Sequence, residues 1–158
     1  MTLERFRHCA VIVAVAFAEL SCQGVGVPSD FRLEATYSPS WIFWCGWTTT
    51  VTSGGLISRQ MNSSAPPVTR NLAKGELQDL FSDVIEEKLF EMAPRYSVFH
   101  TDGTEISLRI VSGGRSHTVS VYGAQMMRSN ADVQQFINVW NKVVALLPPP
   151  DSCGGGTI

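Results

Sequence analysis

Charge is scarce in this chain of 158 residues. Charged side chains make up 16% of it and the formal net charge is −2, against roughly 25% charged residues in an average soluble protein. Lys and Arg form no run anywhere, so the basic stripe that nucleic-acid binders lay against phosphates is missing and no nucleic-acid partner is expected. No C-x-x-C or H-x-x-x-H pair occurs, which removes the ordinary zinc spacings. The N-terminal apolar run, residues 9–18, falls short of the about 20 residues that span a bilayer core. Gly24-Val25-Gly26 lacks the third glycine, the preceding strand and the following helix of a phosphate-cradling loop. No cofactor and no metal site is implied.

What is present begins with residues 1–22. Arg5, Arg7 and His8 form a short basic region, residues 9–18 an uncharged apolar one, and small residues follow, the layout of a secretory signal. Two processing readings stand. Ala16-Phe17-Ala18 is an A-x-A site that frees the chain at Glu19, whereas Glu19-Leu20-Ser21-Cys22 resembles a bacterial lipobox, in which Cys22 carries the lipid. The chain is therefore expected to be exported: periplasmic, tethered to the outer membrane as a lipoprotein, or secreted. With Cys22 lipidated, Cys45 and Cys153 remain as an even pair, able to join in an oxidising compartment but not forced to. Residues 23–30 read as a Gly/Pro linker, 31–147 as one domain, and 148–158, which open on three prolines, as a disordered tail.

Within the domain, residues 77–90 set the organisation. Leu77, Leu80, Phe81, Val84 and Ile85 recur at helical spacing, with Gln78, Asp79, Asp83, Glu86 and Glu87 on the other side. Such a helix needs a sheet to lie on. Alternation over residues 31–37 gives a first strand. Residues 47–52 and 56–61 flank Ser53-Gly54-Gly55, and a three-residue loop there matches Val51 with Ile57 and Trp47 with Met61. Residues 62–71, with Pro66-Pro67, read as a loop. Residues 104–112 and 115–122 flank Gly113-Gly114, whose two-residue turn pairs Ile110 with His117, Leu108 with Val119 and Ile106 with Val121. A last helix, capped by Ser129 or Asn130, carries its stripe from Val133 to Leu147. The expected fold is α+β: a five-stranded antiparallel sheet (β-β-β-α-β-β-α) with two helices packed on one face.

Four segments punctuate this order: Gly46-Trp47-Thr48; Leu72-Ala73-Lys74-Gly75-Glu76-Leu77; Phe90-Glu91-Met92-Ala93-Pro94-Arg95-Tyr96; and Gly113-Gly114-Arg115-Ser116-His117-Thr118-Val119. In these the chain, over residues 31–147, resembles small exported bacterial domains of unassigned function, a lipoprotein-like or periplasmic group. The resemblance implies a fold and a compartment. It implies no reaction.

Residues 41–47 hold three of the four tryptophans. Buried, they begin the second strand; exposed, they are a ligand platform, a membrane-touching edge or a partner surface. Successive strand residues face opposite ways, so the cluster cannot all be inside, and Trp41, Phe43, Trp44 and Trp47 are the candidate contacts. Three readings follow. The first is a non-enzymatic exported binding or scaffolding domain for an unknown protein or small ligand, touching membrane only through a lipid anchor. The second is a protease-inhibitor-like domain presenting residues 62–71. The third is a small enzyme using His100, Asp102 or His117, which requires these to converge with a second acid or a nucleophile. Asp102-Gly103 reads more simply as a turn, and His117 as a packed histidine on the apolar face.

Overall fold

Period-two alternation builds the middle of the sheet. In β1, Arg32–Ser38, Leu33 and Ala35 are buried on one face while Arg32, Glu34 and Thr36 occupy the other. The same alternation buries Trp47, Thr49 and Val51 in β2, Trp47–Thr52, and Ile57 and Arg59 in β3, Leu56–Met61. The computed structural model describes residues 26–99, 103–150, 153 and 158; residues 1–22, expected to be a signal, with Cys22, lie outside them.

Four more strands complete the sheet: β4, Val68–Asn71; β5, Arg95–Ser97; β6, Glu105–Ser112; and β7, Arg115–Tyr122. The order across it is β4-β3-β2-β1-β6-β7-β5, and β5 runs parallel to β7 while every other pair is antiparallel. The expected five-stranded antiparallel sheet is thus corrected to a seven-stranded mixed sheet. The two additional strands are edge strands, and each lacks a sequence signal for a physical reason. All four residues of β4 are exposed, so no apolar alternation marks them, and they follow directly on Pro66-Pro67. The three residues of β5 are too few to show a period; they are held by pairing with β7, where the Ser120 N–H also donates to the Pro94 carbonyl at 3.0 Å.

The two hairpin registers agree with expectation. Trp47 faces Met61 and Val51 faces Ile57 across a loop with Gly55 in the left-handed region (φ 81°). Ile110 faces His117, Leu108 faces Val119 and Ile106 faces Val121 across Gly113 and Gly114, both left-handed. Asp30 fastens that second turn, its carboxylate accepting the N–H of Gly113 at 2.9 Å and of Gly114 at 2.7 Å.

Both helices cover the apolar face. In α1, Lys74–Glu86, the Glu76 carboxylate accepts the Ala73 N–H at 2.8 Å, but Ala73 has no side-chain acceptor to return the bond, so packing must anchor the helix. Leu77, Leu80, Phe81 and Val84 are buried, and Phe81 meets Phe31 edge-on at 5.1 Å. Ile85, expected on the stripe, is 45% exposed instead; it lies about 80° around the helix from Leu77. The helix also ends before residue 90, because Lys88 turns left-handed (φ 54°) ahead of a 3-10 turn at Leu89–Glu91. In α2, Ala131–Leu146, the Asn130 side chain caps the Val133 N–H at 3.1 Å, and Phe136, Ile137, Val139, Trp140, Val143 and Val144 are buried. Lys142 to Asp83 (2.9 Å) and Asn138 to Glu87 (2.8 Å) stitch the helices together. The opposite face of the sheet is polar, with Arg32 and Arg109 both donating to Glu34.

Two predictions follow from this packing. Phe81→Ala should lower stability by about 3–5 kcal/mol and Ile85→Ala by about 0.5 kcal/mol or less, as read by urea denaturation; equal losses would contradict the stripe. The Gly114 and then the Gly113 N–H hold the Asp30 carboxyl below its ordinary value. A depressed folded pKa means stabilisation that is full above about pH 4 and lost as pH falls through the lower folded value. The stability gap between the wild type and Asp30→Asn should therefore be constant near neutrality and close under acid conditions.

Candidate functional site: an apolar end of the sheet

Residues 39–46 join β1 to β2, and their sequence prevents a tight hairpin. Pro39 ends the strand, Phe43–Cys45 form a 3-10 turn, and Gly46 leads back in extended conformation. Local bonds pin this connection. The Cys45 N–H donates to the Ile42 carbonyl at 2.8 Å, the Asn62 side-chain amide donates to the Phe43 carbonyl at 3.0 Å, and the Asn62 N–H donates to the Gly46 carbonyl at 2.8 Å. The Ser40 hydroxyl donates to the Gly103 carbonyl. A Cβ at Gly46 would meet the Asn62 amide nitrogen, so a side chain there would push Asn62 off its bond to the Phe43 carbonyl. Cys45 is buried and bonded to Cys153, 108 residues away, with Cα atoms 5.0 Å apart.

On this pinned loop four adjacent apolar side chains face solvent. Trp41 is 73% exposed, Ile42 45%, Phe43 67% and Trp44 53%. Phe43 and Trp44 meet edge-on at 5.3 Å, each partly ordering the other. Strand register carries the cluster further. Ser38 at the end of β1 faces Glu105 at the start of β6, Glu105 faces Tyr122 at the end of β7, and Ser97 at the end of β5 also faces Tyr122. All four strands have a terminus at the same end of the sheet, so the chain beyond β5 and β7 emerges at the end that carries the aromatic loop. Those segments carry Phe99, fully exposed, and Met126, 60% exposed.

Trp47 departs from its expected place among the contacts. It is fully buried, stacked between Tyr37 at 5.7 Å and Trp140 at 5.2 Å, and it ties the sheet to α2. The Arg59 guanidinium lies 4.3 Å from the Trp47 ring centroid, with Nε donating to the Thr49 hydroxyl at 2.8 Å. Only 2% of Arg59 is exposed. Burial brings its pKa down to about 10, so it remains a cation at neutral pH. Neither Nη atom of Arg59 and neither indole N–H of Trp47 and Trp140 has an acceptor among the described residues. Arg59 was missing from the sequence-based candidates. The register that sends Ile57 inward also sends Arg59 inward, and that parity was the available signal.

The catalytic candidates fare differently. His100 and Asp102 lie outside the described residues. His117 is half-buried, and its Nε2–H donates to the Met92 carbonyl at 3.0 Å, a packing bond. Among the described residues no group of three His, Cys, Asp or Glu side chains could hold a metal. A cavity of about 120 Å³ lies at the apolar end, beside Gly103, Thr104, Ile106, Gln125, Met126 and Ile158, and among the described residues no titratable side chain lines it. Of the segment assigned to inhibition, residues 62–67 are an exposed connection and the remainder is β4. The tail is fastened at two described points, Cys153 through its disulfide and Ile158 through reciprocal bonds with the Asn141 side chain. The chain matches no protein-family model and no curated protein.

Cys153→Ser should cost about 2–5 kcal/mol, since the bridge closes a long loop, and should speed amide exchange in residues 39–46 relative to the sheet. Arg59→Met gives a sharper test. The depressed pKa corresponds to a desolvation cost of about 3 kcal/mol, against about 1–2 kcal/mol for the stacking and hydrogen bond that the variant loses. It should be at least as stable as the wild type in urea, and a loss above about 2 kcal/mol would contradict the reading of Arg59 as an uncompensated buried charge.

Proposed function

We propose that this chain is an exported, non-enzymatic binding domain whose contact surface is the apolar end of the sheet, and that it is tethered where Cys22 carries a lipid. The observation that carries the reading is the exposure of Trp41, Ile42, Phe43 and Trp44 on a loop fixed by a disulfide and by Asn62. A contiguous exposed apolar patch on an otherwise well-packed domain marks an interaction site. Fixing it in advance reduces the ordering entropy that a partner's binding must overcome. Export is supported by the Cys45–Cys153 bridge, which persists in oxidising compartments, together with the signal-like residues 1–22.

The test compares the immobilised full-length chain with two double variants against a cell-envelope extract containing proteins and lipids. Trp41→Ser/Trp44→Ser should reduce retained material about tenfold, while its melting temperature stays close to that of the wild type because both side chains are exposed. Arg32→Ala/Arg109→Ala, on the polar sheet face, should retain as much as the wild type. Equal retention by the tryptophan variant, or loss only in the arginine variant, would move the contact surface elsewhere.

A further inference from the structure

The chemistry of the apolar end narrows its partner. No charged residue lies between Glu34 and Arg59 or between Arg59 and Arg70, and Arg59 itself is buried under the sheet. The connections nearest the aromatic loop therefore present uncharged polar groups, Ser38, Ser40, Asn62, Ser63 and Ser64. Glu105, where β6 enters at this end, is paired with Arg95 at 3.5 Å. A protein partner would have no charge on these connections to steer it or to fix its orientation.

Shape points the same way. The exposed apolar side chains come from three separate connections, 39–46, 98–99 and 123–127, and they are protruding tips, with Phe99 fully exposed and Trp41 at 73%. A protein interface of ordinary affinity needs a closely packed complementary surface. A fluid bilayer accepts independent tips without such a match, and tryptophan ringed by uncharged hydrogen-bonding groups favours the boundary between headgroups and acyl chains.

Resting on the binding reading above, we propose that the partner is a lipid bilayer, and that Trp41, Phe43, Trp44 and Phe99 enter its interfacial layer with the strands directed into the membrane plane. Residues 26–31 lead into β1 at the opposite end of the sheet. No helix among the described residues is long and apolar enough to cross a membrane, and the contact is peripheral.

The test uses the processed chain beginning at Glu19 and carrying Cys22→Ser, so that neither the apolar run 9–18 nor an acyl chain contributes, with vesicles of phosphatidylcholine alone. The protein should float with the vesicles, and raising salt from about 0.1 to 0.5 M should leave binding nearly unchanged because phosphatidylcholine carries no net charge to be screened. Tryptophan emission should shift to the blue and be quenched by lipids brominated near the headgroup. Trp41→Ser/Trp44→Ser should lower the partition coefficient about tenfold or more, and Phe99→Ser should lower it independently. No flotation, flotation only with anionic lipid, or equal binding by the variants would overturn the lipid assignment. If the same tryptophan variant then lost a protein from the envelope extract, the binding-domain reading would stand with a protein partner. If it lost nothing, both readings would fall.

Discussion

The double pairing of β1 is the constraint on which the rest depends. Arg32 to Tyr37 pair with β2 on one side and Arg32 to Ser38 with β6 on the other, and without this strand the sheet is two unconnected groups. Leu33 sits between Val51 and Ile110, and Ala35 between Thr49 and Leu108, all buried. Slipping this strand by one residue would turn Arg32, Glu34 and Thr36 into the core and expose Leu33 and Ala35. Burial on both sides therefore fixes the register of β1, and that register fixes where the neighbouring strands stop. The gathering of three apolar connections at one end of the sheet follows from it.

A second consequence concerns what lies under that end. Trp47 links Tyr37 and Arg59 in the sheet to Trp140 in α2, so the first residue after the aromatic loop is among the most tightly held in the domain. The arrangement carries an energetic cost in the form of Arg59, a desolvated cation with one hydrogen bond to Thr49. The cation–π contact offsets part of that cost. The disulfide from Cys45 and the Asn62 bonds add local restraint. On the proposed reading, rigid footing beneath exposed aromatics would let them meet a partner without first being ordered.

Much of this was legible in residues alone. The glycine pairs, read with the apolar match across them, identified both hairpin registers, because a one-residue slip exposes a whole apolar set. The helix stripes were equally readable except at their edges, where Ile85 shows that position on the helix, and not hydrophobicity, decides burial. The edge strands were not readable: β4 buries nothing and β5 is three residues long, so neither carries a periodic signal. The tryptophan cluster divided in a way that composition could not reveal. Parity within β2 sends Trp47 inward with Thr49 and Val51, whereas Trp41, Phe43 and Trp44 precede the strand and escape its alternation. Arg59 was hidden by the habit of assigning charge to the surface, although its parity with Ile57 pointed inward.

The central claim is that a register-fixed sheet presents one apolar end as its contact surface. Hydrogen exchange of the full chain, with and without neutral phosphatidylcholine vesicles, tests it most directly. The account predicts added protection confined to residues 39–46, 98–99 and 123–127, with the outward face of β1, β2 and β6 unchanged. Protection spread over that polar face, or none at the three connections, would contradict it.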